Sequence, residues 1–415
     1  MQTRLRIHLA AMLGLVCLTG ADWAQFRGSD TTGKTSASAL PPTEWSVALE
    51  KTDKREATVA KNVAWSAELP ARGVSSPIVV GNKVFVTSVS GAKQDRLIVG
   101  CYSTADGKRL WERKYWATGR TFCHPVSSVA APTPASDGQR IFAFYSSNDL
   151  ACLDLDGNLL WYRGLTLEHP AAANDVGMAA SPLAAAGMVV VQLESKGDSF
   201  AMGIDAATGE TRWSVPRTSQ MNWTSPTLFK PGKADPLVLL QSPDKLTAHN
   251  IHTGEVVWTF ESKCAEISSA TADGDTIYLP GQGLTALKSG EGSSNWEKVW
   301  TQKNLSASNP SPIIVGGRVY VINRAGVMQC GEAASGKELW KLRTKGPYWA
   351  TPLSIGDLLY VVNQDGLAQV VKTGEKEGEV VASNDFGEPV FGSPAYADGA
   401  LYFRGDKHLW KIAKP

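Results

Sequence analysis

The chain predicts an all-β fold, an eight-bladed β-propeller of four-stranded antiparallel blades closed by an N-terminal strand. Two recurrences and one missing strand carry this expectation. A Gly-x-x-x-Trp phrase returns as Gly107–Trp111, Gly157–Trp161, Gly209–Trp213, Gly254–Trp258 and Gly336–Trp340. Between these phrases runs a Ser/Thr-Pro step leading into an apolar strand, at Pro77, Pro134, Pro182, Pro226, Pro312, Pro352 and Pro394, with Ala270 in place of proline once. Successive anchors lie 57, 48, 44, 44, 42, 40 and 42 residues apart. Self-similarity at that period is the mark of blades that each need a neighbour to bury an apolar face. The last unit opens at Ser393-Pro394 and stops after three strands, while residues 62–69 form a lone strand ahead of the first Ser-Pro. Lending that strand to the last unit leaves no open sheet edge. Seven blades is the alternative count.

Taken in order, residues 1–21 read as an export signal. Arg4, Arg6 and His8 form a charged start, Leu9 to Leu18 an apolar stretch, and Thr19-Gly20-Ala21 a small-residue cleavage site. Val16 stands before Cys17, where a lipid-anchor motif wants a small residue, so no lipid anchor is expected. Residues 22–60 form an extension packing on the propeller, and residues 61–415 the propeller itself. Removing residues up to 45 is expected to be milder than removing residues up to 70, which would take the closing strand and Trp65.

The sixth unit shows the grammar of a blade. Ser311-Pro312-Ile313-Ile314-Val315 opens a strand, Gly316-Gly317 turns it, and Arg318 to Ile322 is the second strand. Asn323 to Gly326 turns again, Val327 to Glu332 is the third strand, and Lys337 to Trp340 follows the Ser335-Gly336 turn as the fourth. Asn and Gly adopt positive φ cheaply, as tight hairpin turns require. Trp65, Trp111, Trp161, Trp213, Trp258 and Trp340 are read as structural, burying large area against the next blade. The fifth unit reaches Trp300 late, and the seventh has Val380-Val381-Ala382 where Trp is expected.

Composition narrows the function classes. Of 415 residues 43% are hydrophobic and 20% charged, with 41 Lys and Arg against 40 Asp and Glu, so no basic footprint for nucleic acid stands out. No run of about 18 or more apolar residues occurs, so no transmembrane span is expected. Beyond the leader lie Cys101, Cys123, Cys152, Cys264 and Cys330, an odd number, so at least one thiol is free or pairs between chains. Cys101 and Cys330 precede their Trp by ten residues and Cys152 by nine, one repeat position on three blades. Whether Cys123 and Cys264 pair is left open.

The phrase Gly203-Ile204-Asp205-Ala206-Ala207-Thr208-Gly209-Glu210-Thr211-Arg212-Trp213 resembles the repeat of the pyrroloquinoline-quinone-like (PQQ-like) propeller family, and residues 248–258 resemble it next best. The opening Trp23-Ala24-Gln25-Phe26-Arg27-Gly28, with Leu40-Pro41 and Trp45 after it, is similar to the start of exported bacterial members. The resemblance covers about residues 60–415 and implies the propeller fold. It also implies one of two functions, since the family spans quinone dehydrogenases and non-catalytic scaffolds. The scaffolds include the propeller lipoprotein of the outer-membrane β-barrel assembly machinery.

The dehydrogenase pattern stacks its quinone between a Trp and a disulfide of adjacent cysteines, over a calcium held by Glu, Asn and Asp. No Cys-Cys pair occurs in this sequence. Asp154-Leu155-Asp156-Gly157-Asn158 has calcium-like alternation, but it occupies a hairpin position where Asp and Gly are ordinary turn residues. No catalytic residue, metal site or cofactor is therefore expected, PQQ being the one cofactor to test. Candidate binding residues come from the two positions that enter each innermost strand: Gly73/Val74, Ala130/Ala131, Met178/Ala179, Asn222/Trp223, Glu266/Ile267, Ser308/Asn309, Tyr348/Trp349 and Val390/Phe391. Trp223, Glu266, Asn309, Tyr348, Trp349 and Phe391 are the candidates, either packing between inner strands or forming a patch at the channel mouth. The expected function is a non-enzymatic scaffold, exported to the periplasm or cell envelope, that binds protein or peptide partners. The alternatives are a quinone-dependent or other small-molecule oxidoreductase and a carbohydrate-binding propeller.

Overall fold

Each Ser/Thr-Pro step begins the innermost strand of a blade, because proline fixes φ and needs no partner for an N–H at the point where the chain drops into the channel. The computed structural model describes residues 22–36, 39–51, 56–173, 175–232, 235–289 and 296–414. The leader and Cys17 lie outside the described residues. Eight antiparallel sheets surround one axis, each with four strands in simple up-and-down order. In the sixth blade the strands are Ile313–Val315, Arg318–Ile322, Val327–Glu332 and Glu338–Arg343, as the repeat grammar predicts. In the eighth, Ala395–Ala397, Ala400–Arg404 and His408–Ile412 take Val63–Glu68 from the N-terminal side as their outer strand. The ring is closed by that pairing. The seventh blade carries a fifth, two-residue strand, Lys34–Thr35, parallel to Leu353–Ile355.

The apolar side chains form several clusters, and most of these lie between adjacent blades. One joins Ile313, Tyr320 and Met328 of blade six to Leu359, Val361 and Val371 of blade seven. This follows from the alternating strands: the two faces of one blade are buried by its two neighbours.

The tryptophan phrase is the outer seam of these contacts. Each Trp opposes a small or slender residue across its hairpin: Cys101, Cys152, Gly203, Ala248, Ala286, Cys330. A bulge at that point turns the indole toward the next blade. There it lies on the glycine of the following phrase. A Cβ on Gly157 would stand 2.7 Å from Trp111, and one on Gly254 2.7 Å from Trp213. Both glycines also sit at positive φ, at +83° and +73°. The indole N–H then donates to a carbonyl of the neighbouring turn, from Trp65 to Thr104, Trp111 to Leu155, Trp161 to Ala206, Trp213 to Ile251, Trp300 to Ala333 and Trp340 to Gly374, at 2.9–3.2 Å. Trp300 thus does the work of the fifth blade despite its late position. Trp258 differs, its buried indole nitrogen without a partner among the described residues and its ring against Trp296 at 4.5 Å. In the seventh blade Ala382 occupies the Trp position opposite Val370, and the extension brings Trp45 against Phe386 and Phe403 in the adjoining core.

The N-terminal extension does more than pack on the outside. Trp23 bridges Val79 in blade one, the Ala24 carbonyl accepts Ser136 N–H in blade two, and Gln25 Oε1 accepts Ala184 N–H in blade three. Thr31 accepts Leu228 N–H in blade four, Arg27 reaches blade five, and Gly33 lies against Ile313 of blade six and accepts Ser354 N–H of blade seven. The Ala39 carbonyl takes the Tyr396 hydroxyl of blade eight at 2.8 Å. One short segment therefore satisfies inner-edge groups around the whole ring. The loss of residues up to 45 is therefore expected to be costly in its own right.

All five thiols among the described residues are free: Cys101, Cys152, Cys264 and Cys330 are buried and Cys123 is half-buried. Burial pushes the Cys101, Cys152 and Cys264 thiols up to about 12. The three cysteines of the repeat position are the cross-strand partners of Trp111, Trp161 and Trp340.

Two outcomes test this architecture. Gly316→Ala, at positive φ with open space around it, should destabilise by about 1–2 kcal/mol from backbone strain alone. Gly254→Ala adds a clash with Trp213 and should cost a further ~1–3 kcal/mol, read by urea unfolding. Deleting residues 22–36 should by itself lower the melting temperature of the remaining chain, and deleting through Leu69, which also removes the closing strand, should lower it further. A deletion protein melting with the parent would show that the extension is dispensable.

Candidate functional site

The inner strands converge on a second ring, built from the residue before each anchor. Ser76, Thr133, Ser181, Ser225, Ser269, Ser311, Thr351 and Ser393 face the axis, and none is more than 7% exposed. The backbone N–H of each donates to the hydroxyl of the next. Ser76 gives to Thr133 at 3.0 Å, Thr133 to Ser181 at 3.0 Å, Ser181 to Ser225 at 2.9 Å and Ser225 to Ser269 at 3.0 Å. Ser269 gives to Ser311 at 3.1 Å, Ser311 to Thr351 at 3.0 Å, Thr351 to Ser393 at 2.9 Å, and Ser393 returns to Ser76 at 2.8 Å. The circuit is complete. At the one anchor that is not proline, Ala270 has an N–H, and Gln241 Oε1 accepts it at 2.8 Å.

Above this ring, toward the loops between blades, stands a ring formed three residues before each anchor: Val74, Ala131, Ala179, Trp223, Ile267, Asn309, Trp349 and Phe391. Below it the extension supplies a floor. Phe26 lines the channel, and Arg27 is buried beneath, donating to the Ala270 carbonyl and to the hydroxyls of Thr227 and Thr271 at 2.7–3.0 Å. The result is a well of about 530 Å³, within the size range of small-molecule sites. Small side chains on blades one to three leave the space there. Two loops stand over it as a lip, tied by the His124 N–H to Val176 carbonyl bond at 3.0 Å. His124, Val126 and Ser127 come from one loop, Val176, Gly177 and Met178 from the other. Trp223 is fixed to this lip by its indole N–H on the Gly177 carbonyl, 2.8 Å.

The six candidate residues separate. Trp223, Asn309, Trp349 and Phe391 line the well. Trp349 is 39% exposed at the mouth, its indole N–H on Gln364 at 3.1 Å. Tyr348, only 2% exposed, packs in the core between blades six and seven with its hydroxyl toward Gln369 at 3.3 Å. Both lie in the segment that leads into the innermost strand Leu353–Ile355, and there Trp349 turns to the channel while Tyr348 turns into the core. Glu266 is exposed and does not line the well; its carbonyl receives the Trp223 N–H at 2.8 Å. Phe26, His124, Arg324 and the hydroxyl ring were missed among the candidates. The hydroxyls were visible as the Ser/Thr of every Ser/Thr-Pro step, where they read only as turn chemistry.

The electrostatics are one-sided. Among the described lining residues there is no Asp or Glu, while Arg324 stands at the rim. Burial lowers the Arg27 guanidinium to about 9 and the Arg404 guanidinium, behind Ser75 and Ser88, to about 10. Among the described residues neither hydrogen-bonds a carboxylate, although Asp30 lies near Arg27 and Asp406 and Glu388 near Arg404, and the Nε of each has no partner there. The third buried arginine, Arg217, by contrast pairs with Glu194 at 3.0 Å. Asn309 is the one lining residue from the Glu, Asn and Asp set of the dehydrogenase pattern, and no cysteine lines the well. The donor set does not fit a calcium-backed quinone. Among the described residues no group of three His, Cys, Asp or Glu is placed to hold a metal ion.

A family model described as outer membrane protein assembly factor BamB matches residues 47–197, 99–262, 202–381 and 332–414. Over 162 residues the chain is 28% identical to the outer membrane protein assembly factor BamB of Burkholderia pseudomallei (strain K96243). That match spans 35% of this chain and 40% of the relative's length. Among solved structures, BamB from Moraxella catarrhalis superposes with a TM-score of 0.62 at 17% identity, covering 83% of this chain and 95% of that one. A europium-containing methanol dehydrogenase gives 0.68 at 13% identity over 93% and 89%. The quinohemoprotein alcohol dehydrogenase of Comamonas testosteroni gives 0.70 at 12% over 97% and 82%. These structural likenesses establish the fold alone.

The hydroxyl ring can be broken at one point. Ser225→Ala leaves the buried Ser181 N–H without its acceptor, and should destabilise by about 1–3 kcal/mol in chemical unfolding. Ser225→Thr, keeping the hydroxyl, should stay close to the parent. Equal loss in both variants would point to packing instead of the hydrogen bond.

Proposed function

The chain belongs to the family described as outer membrane protein assembly factor BamB, and from that premise we propose that it is a non-catalytic propeller scaffold that binds protein partners in the cell envelope. The observation that carries this reading is the mouth of the well. Trp349 and Val126 line it and are exposed, Trp223 and Phe391 line it with them, and Phe122 is exposed on the segment that leads to Val126. Exposed aromatic groups beside a concave surface suit a protein or peptide ligand, and binding energy concentrates on Trp and Tyr. Residues 1–21, read as an export signal, fit an envelope location. The lack of carboxylates and cysteines in the well weighs against the quinone oxidoreductase reading.

The test is capture from envelope fractions with the immobilised protein. Trp349→Ala should leave the melting temperature nearly unchanged and remove about 2 kcal/mol or more of partner binding energy. Capture that is equal for parent and variant removes Trp349 from the interface. Dye reduction with added quinone and calcium, clearly above the rate without them, would overturn the scaffold reading in favour of an oxidoreductase.

A further inference from the structure

We propose that the central well is an anion-binding site, taking the carboxylate or phosphate group of a small ligand at the hydroxyl ring and its apolar body against Trp223, Trp349 and Phe391. Each serine or threonine hydroxyl has one proton to donate and lone pairs to accept with. In the ring all eight hydroxyls accept a backbone N–H, and among the described residues none donates to protein. Eight hydroxyl protons around one axis are thus free to turn toward the well. Buried donors are normally satisfied, and leaving one without an acceptor is costly. An oxyanion offers several acceptor lone pairs, which neighbouring donors of such a ring can use.

Charge selects the same ligand. The Arg27 guanidinium lies just beyond the ring, its partners Thr227 and Ala270 following the ring members Ser225 and Ser269 along the same strands. Arg404 flanks the well behind Ser75, the neighbour of Ser76, at 3.4 Å. Buried charges are ordinarily paired, as Arg217 is with Glu194; the hydrogen bonds of these two go to neutral groups alone, with carboxylates nearby but unbonded, Asp30 for Arg27 and Asp406 and Glu388 for Arg404. Arg324 adds a positive group at the entrance, and no lining carboxylate opposes it. Such a lining favours an anion over a cation. The small Ala131 and Ala179 leave room for the apolar body beneath the lip.

Calorimetric titration of the purified protein with benzoate, phenyl phosphate and benzamide tests this. At least one of the two anions should bind one per chain, and benzamide about 10-fold weaker or worse, a difference of ~1.4 kcal/mol. Benzoate binding alone identifies a carboxylate site, phenyl phosphate alone a phosphate site. Ala131→Phe and Ala179→Phe, which fill the well without touching the ring, should weaken the anion about 10-fold at unchanged melting temperature. Arg324→Gln, at the exposed rim, should weaken the anion and leave benzamide alone. Benzamide binding as tightly as the anions, undiminished binding in both filled variants, or no binding of either anion at millimolar concentration would overturn the proposal.

Discussion

Eight backbone N–H groups handed from one blade's serine or threonine to the next are the constraint on which the rest of this molecule depends. Each bond is ordinary, worth about 1 kcal/mol, but the circuit closes only if all blades approach the axis at one spacing. The dipeptide explains how. The hydroxyl residue supplies both donor and acceptor, and the proline after it has no N–H to strand in the channel. Where proline is replaced, at Ala270, a glutamine side chain takes up the extra donor. The inner ring is therefore kept in every blade, and its one departure from Pro is locally satisfied.

The outer seam obeys looser rules. There a tryptophan lies on a glycine of the next blade and donates to a carbonyl, so the contact is mostly area with one hydrogen bond. Area can be supplied in other ways. The fifth blade reaches its seam residue through Trp300 after an insertion, and the seventh does without, next to a core that receives Trp45 from the extension. Directional bonds at the centre and adaptable packing at the rim divide the work of holding eight similar sheets together.

The extension converts a channel into a well. Trp23, Gln25, Arg27, Thr31 and Gly33 satisfy inner-edge groups, and Phe26 becomes the floor. This places a buried guanidinium beneath a ring of hydroxyl donors, with carboxylates absent from the described lining. The well's asymmetry has a separate source. Blades one to three present Val74, Ala131 and Ala179 where later blades present Trp223, Trp349 and Phe391, so space, lip and aromatic wall fall on different sides of the axis.

The sequence by itself determined the blade count, the strand order within a blade and the closing strand, because those depend on local spacing: Gly-x-x-x-Trp, Ser/Thr-Pro and the lone strand at residues 62–69. It also marked two positions ahead of each inner strand as candidates for the channel. It could not say which of the two faces inward, since Tyr348 and Trp349 are equally aromatic and only the folded path of the segment before the strand separates core from mouth. The joining of eight hydroxyls into one circuit and the threading of residues 22–36 beneath blades one to seven were decided by tertiary structure. Such contacts join residues some forty to more than three hundred positions apart. Their geometry exists only when the ring has closed.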